Sequence, residues 1–131
     1  MDTELQVLGW GCVLALVHVF AAVRMKTRQY GTKWNMGARD EALPPLDPIA
    51  GRLARAQANY FETFPVMIAA VAIAVLADQT SEVTAAGAWI WLGARIVYLP
   101  LYAAGVPVVR TICFGVGLIG ILMVLVPAMW P

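Results

Sequence analysis

Arg55, Asn59 and Glu62 lie at positions i, i+4 and i+7 at the head of an apolar run that continues to Ala77. At roughly 100° per helical residue the three fall within about a 60° arc of one helix face. Arg95, Tyr98 and Tyr102 repeat the arrangement at i, i+3 and i+7 inside a second apolar stretch, Val83 to Val109, and Arg110 follows it directly. Guanidinium groups donate hydrogen bonds in a fixed fork, and amide and phenol groups add neutral donors beside them. Arg52, Arg55, Arg95 and Arg110 face a single acid, Glu62, in these stretches. Surplus positive charge in a low-dielectric site calls for an anionic ligand, and a carboxylate-bearing or thiolate-bearing small molecule fits.

Each residue also has a plainer use. Glu62 can neutralise Arg55 or Arg95, Asn59 can bond a neighbouring helix, and Tyr98 and Tyr102 can belong to an interfacial aromatic belt. Arg52 can snorkel to anionic lipid at the membrane surface. One Glu cannot pair with Arg55, Arg95 and Arg110 together, which leaves at least one guanidinium for a ligand or a neighbouring subunit.

The elements that must position these groups are transmembrane helices. Apolar residues make up 61% of the 131-residue chain and charged residues 13%. A soluble domain has about 45–50% and 25%, so the solvent expected here is a lipid bilayer. With about 20 residues per span, the length allows one domain of four spans, at about 5–23, 54–77, 83–102 and 108–130. The expected fold is an all-α integral membrane four-helix bundle. Seven of the nine Lys and Arg residues lie between Arg24 and Arg55, whereas Asp2, Glu4, Asp78 and Glu82 mark the other side. The positive-inside rule puts the Arg24–Arg55 loop in the cytoplasm and both termini on the opposite side. Acids precede the first apolar run, which reads as a retained span and not as a signal peptide.

That first span is expected to stop at Arg24, Lys26 and Arg28. From Tyr30 to Gly51 the Gly and Pro density predicts one long irregular loop. The second helix is expected to begin near Ala50, and its uncharged part, Thr63 to Ala77, covers only about 22 Å of the roughly 30 Å hydrocarbon core. Part of the polar stripe must therefore enter the membrane, where an ionisable side chain is a functional candidate by default. Pro65 predicts a kink there. Gly105 and Pro107 predict a tight turn before the fourth span, whose Gly115, Gly117 and Gly120 permit close helix approach. Cys12 and Cys113 have no partner spacing and read as small buried hydrophobes. His18, alone on an apolar helix, reads as a satisfied interior residue, and no metal site is expected.

Two motifs carry a family resemblance. RAQANYFETFP, Arg55 to Pro65, resembles the second-helix signature of the MAPEG family, the membrane-associated proteins of eicosanoid and glutathione metabolism, and ARIVYLPLY, Ala94 to Tyr102, resembles its third-helix signature. The first and fourth spans are similar in hydropathy alone. The resemblance implies a homotrimer with glutathione bound between subunits near the cytoplasmic face and lipid-soluble substrates entering through the bilayer. It implies glutathione-binding roles for Arg55, Asn59, Glu62, Arg95, Tyr98 and Tyr102, and a thiol-activating role for Arg110. A Cys-type thiol with pKa near 8.5 is about 3% thiolate at pH 7, and about 2.7 kcal/mol of preferential anion stabilisation makes the thiolate the majority form. One desolvated guanidinium near sulfur can supply that. The chain departs from the prostaglandin-E-synthase branch at Ala58, where that branch has a basic residue, and at Phe114, where it has a Tyr. Arg55 to Gln57 resemble the leukotriene-forming branch instead.

The function expected from these readings is a glutathione-dependent transferase or peroxidase acting on hydrophobic electrophiles or lipid hydroperoxides. The alternative is a non-catalytic membrane protein of the same fold that binds an anionic lipid or a protein partner. A small channel or transporter is disfavoured because no pair of broken helices occurs in symmetric halves. No nucleic-acid partner is expected.

Overall fold

A computed structural model describes residues 1–130, and every regular element among them is helical. The order is α1 (Thr3–Tyr30), α2 (Thr32–Met36), α3 (Pro48–Leu76), α4 (Glu82–Ala103) and α5 (Pro107–Met129). Local chemistry explains the boundaries. Pro48 and Pro107 open α3 and α5, where a missing N–H costs nothing. Ser81 and Thr84 form a reciprocal capping box at the head of α4, with Ser81 N donating to Thr84 Oγ1 at 2.7 Å and Thr84 N donating to Ser81 Oγ at 3.3 Å. Gly105, at φ +77°, makes the α4–α5 turn.

α3 and α4 touch each other, and each touches both α1 and α5, while α1 and α5 make no contact among the described residues. The core is an aromatic stack running between α1, α3 and α4. His18 lies 4.7 Å from Tyr60, Tyr60 lies 5.0 Å from Phe64, and Phe64 is stacked on Trp91 at 5.7 Å, all between ring centres. Offset stacking of this kind adds about 0.5–1.5 kcal/mol per pair beyond simple burial. α4 and α5 meet through glycines. A Cβ at Gly120 would lie 2.6 Å from Trp91 N and 2.7 Å from Gly87 O, and one at Gly87 would lie 2.5 Å from Met123 Cβ. Without a hydrophobic force between helices in lipid, such close backbone approach is what holds them.

α1 holds the apolar span expected at 5–23 and continues through Arg24, Lys26 and Arg28 to Tyr30, because those charges end the apolar run without ending the helix. Two other expectations need correction. The expected loop contains the short helix α2, and its irregular residues are Gly31 and 37–47. That strap is tied to the end of α1: Gln29 Nε2 donates to Pro45 O at 3.0 Å, Asp47 N donates to Gln29 Oε1 at 2.7 Å, and Tyr30 Oη donates to Pro44 O. α3 starts at Pro48, close to the start expected near Ala50, and carries Pro65 within its length. Among the three named glycines only Gly120 marks a tight contact within the chain. Gly115 has nothing within 4 Å of a built Cβ, and the partner of Gly120 is Gly87, which lies outside the fourth span.

α1, α3 and α5 are each long and apolar enough to cross a membrane. α4, which carries Glu82 and Arg95, falls outside that set.

Candidate functional site

The stripe on α3, the end of α4 and the start of α5 converge on one cleft. It has a volume of about 290 Å³ and is lined by Arg55, Ala58, Asn59, Glu62, Tyr98, Tyr102 and Arg110. The α3 residues share a face because of their helical spacing. Those of α4 and α5 are brought across by the turn at 104–106.

Tyr102 is the centre of the arrangement. Arg55 Nε donates to its hydroxyl at 3.3 Å, and the guanidinium carbon of Arg110 lies 4.8 Å from its ring centre. One ring from α4 thus receives a cation from α3 at its edge and a cation from α5 on its face. Each contact is electrostatically favourable and leaves other guanidinium N–H groups free to donate. Tyr98 stands beside it, with ring centres 5.4 Å apart. Glu62 lines the same cleft. A site with two guanidiniums and one carboxylate suits a ligand that carries acids and an amine together.

Six of the seven sequence-predicted site residues line this cleft: Arg55, Asn59, Glu62, Tyr98, Tyr102 and Arg110. Arg95 does not. It is 2% exposed and lies behind the wall, where Nη1 donates to Asn59 Oδ1 at 2.7 Å and the guanidinium faces the Tyr98 and Tyr60 rings at 4.3 and 5.3 Å. The helical spacing that groups Arg95 with Tyr98 and Tyr102 is correct, but α3 covers the Arg95 end of that face. Arg52 also stays out of the cleft. Its Nε donates to Ala103 O at 2.8 Å, so it satisfies an orphan carbonyl in the last turn of α4.

Tyr60 escaped the sequence reading, and no spacing signal marks it. It is fully buried; its hydroxyl donates to Gly11 O and so ties α3 to α1, while its ring carries His18. His18 is interior as expected but not satisfied: neither ring nitrogen has a partner among the described residues, and the same holds for Trp91 Nε1. Cys12 is exposed on α1 and Cys113 is partly exposed on α5, so neither is the buried hydrophobe expected. Among the described residues, no three His, Cys, Asp or Glu side chains converge as metal ligands would.

Long apolar helices with a charged cleft toward one end define an integral membrane protein with a polar cleft. The chain matches the MAPEG family over residues 7–130, nearly its whole length, and belongs to that family. No curated protein and no solved structure matches it.

Proposed function

We propose that this protein is a membrane-embedded, glutathione-dependent transferase or peroxidase acting on hydrophobic electrophiles or lipid hydroperoxides. The observation that carries the reading is the cleft itself: Arg55 and Arg110 from different helices meet on Tyr102, with Asn59, Glu62 and Tyr98 around them. In this reading Arg55, Asn59 and the two tyrosines hold the carboxylates and backbone of glutathione, and Glu62 takes its ammonium group. Arg110 stabilises the thiolate. The sulfur then forms a C–S bond to an electrophilic carbon as the leaving group departs. Alternatively it takes the terminal oxygen of a hydroperoxide as the O–O bond breaks and the alkoxide leaves, protonated to the alcohol; a second glutathione then attacks the sulfenic sulfur, releasing water and the disulfide.

α4 is the fourth span in this proposal, completing a four-helix bundle. Arg95 is sheltered from lipid by the Tyr60 and Tyr98 rings, so its charge does not prevent insertion. The strap and the Arg24–Arg55 basic cluster face the cytoplasm, and three copies assemble with the cleft at their contacts. Apolar substrates reach the sulfur from the bilayer.

Calorimetric titration of the detergent-solubilised protein with glutathione tests the binding step. Saturable binding weakened at least tenfold in Arg55→Ala supports it, and no binding heat at any temperature refutes it. A non-catalytic protein that holds an anionic lipid headgroup is the second reading. The same Arg–Tyr102–Arg arrangement supports it, since those donors fit a phosphate as well as a carboxylate.

A further inference from the structure

Arg95 is the only fully buried Lys or Arg among the described residues, and no carboxylate answers it. Its Nη1 is bonded to Asn59 Oδ1, while Nε and Nη2 have no partner. A guanidinium has donors and no acceptor, so the Asn59 amide can turn only its oxygen toward Arg95. Asn59 lines the cleft. With Oδ1 committed at 2.7 Å, its Nδ2 and both N–H donors are left for whatever occupies that cleft.

Taking the glutathione reading as its basis, we infer that Arg95 is a positioning residue that does not touch the ligand. It locks the Asn59 amide with its donors facing the anion, and it keeps an unneutralised charge behind the cleft wall. The residue type at position 59 is the telling feature. A carboxylate there would serve Arg95 better, because the desolvation of the guanidinium has already been incurred and an opposite charge would repay it. The amide forgoes that gain. In return the wall donates where it would otherwise repel an anion, and the field of Arg95 reaches the cleft instead of ending on a neighbouring acid.

The arrangement predicts that stability and binding move in opposite directions. Asn59→Asp should melt a few degrees higher than the wild type in detergent without ligand, and should bind glutathione at least tenfold more weakly by calorimetry. Asn59→Leu should melt lower and also bind more weakly. Arg95→Lys, which keeps one donor for Oδ1, should bind within about tenfold of the wild type, whereas Arg95→Gln should not. An Asn59→Asp protein that melts at or below the wild type would overturn the inference, since Arg95 would then have a counter-ion elsewhere. Unchanged glutathione affinity in Asn59→Asp would overturn it too, because the amide donors would not be in use. If the wild type shows no glutathione binding, the functional reading fails on its own, and the melting order of the two Asn59 variants still decides whether Asn59 holds Arg95.

Discussion

Replacing Gly120 with Ala should separate α4 from α5 and loosen a site far from the substitution. The added Cβ would meet Trp91 N at 2.6 Å, Gly87 O at 2.7 Å and Trp91 Cβ at 2.9 Å. Two of these atoms are backbone, so no side-chain rotation relieves the clash. Ordinary contact begins near 3.4 Å, and the helices must therefore part by about 0.8 Å, for which overpacking costs of about 1–3 kcal/mol are typical. Gly87→Ala meets Met123 Cβ and Gly120 O in the same seam and should cost a similar amount. Gly93→Ala is the control on the same helix. It has nothing within 4 Å, and replacing a helical Gly by Ala there is expected to be neutral or to stabilise by up to about 1 kcal/mol. Because α4 carries Tyr102 and α5 carries Arg110, parting the helices also draws Arg110 off the ring it now faces at 4.8 Å. Reversible unfolding in mixed micelles, read by tryptophan fluorescence, measures the stabilities. Gly120→Ala lying within 0.5 kcal/mol of Gly93→Ala, relative to wild type, would refute this account of the seam.

Two further predictions follow from side chains outside the cleft. His18→Phe keeps an aromatic ring against Tyr60 and removes two nitrogens that have no partner among the described residues, so stability in the same unfolding assay should be unchanged or higher. A loss above about 1 kcal/mol would mean that those nitrogens are bonded in the working protein. Gln29→Ala removes both side-chain bonds that hold the strap at Pro45 and Asp47. Limited trypsinolysis should then cut at Arg39 severalfold faster, and an unchanged rate would show that Tyr30 and Pro44 suffice to hold the strap.

The parts of the site that were legible in sequence are those fixed by helical periodicity. Arg55, Asn59 and Glu62 had to share a face once α3 formed, and that face is the cleft wall. Periodicity does not say what covers a face, and Arg95 shows the difference. Tyr98 and Tyr102 lie on its stripe and line the cleft, but at Arg95 the stripe passes beneath Asn59 and the Tyr60 ring. Arg52 was ambiguous because its partner is the Ala103 carbonyl, and backbone acceptors leave no trace in residue identity. Hydropathy marks the bilayer limit of the first span near Val23 and is silent on where α1 ends, because a helix can project into water beyond its apolar part. The Gly87–Gly120 seam joins two helices, and one glycine alone does not reveal the other.

Arg110 is proposed to convert a bound thiol into a thiolate. Ultraviolet difference spectroscopy tests this most directly, with purified protein titrated by glutathione near pH 7 and thiolate absorbance recorded. The predicted result is a saturable thiolate signal in the wild type that is lost in Arg110→Ala while glutathione still binds. Saturable binding without a thiolate signal in the wild type, or a signal of equal size in Arg110→Ala, would contradict the account and favour a cleft that holds anions without activating them.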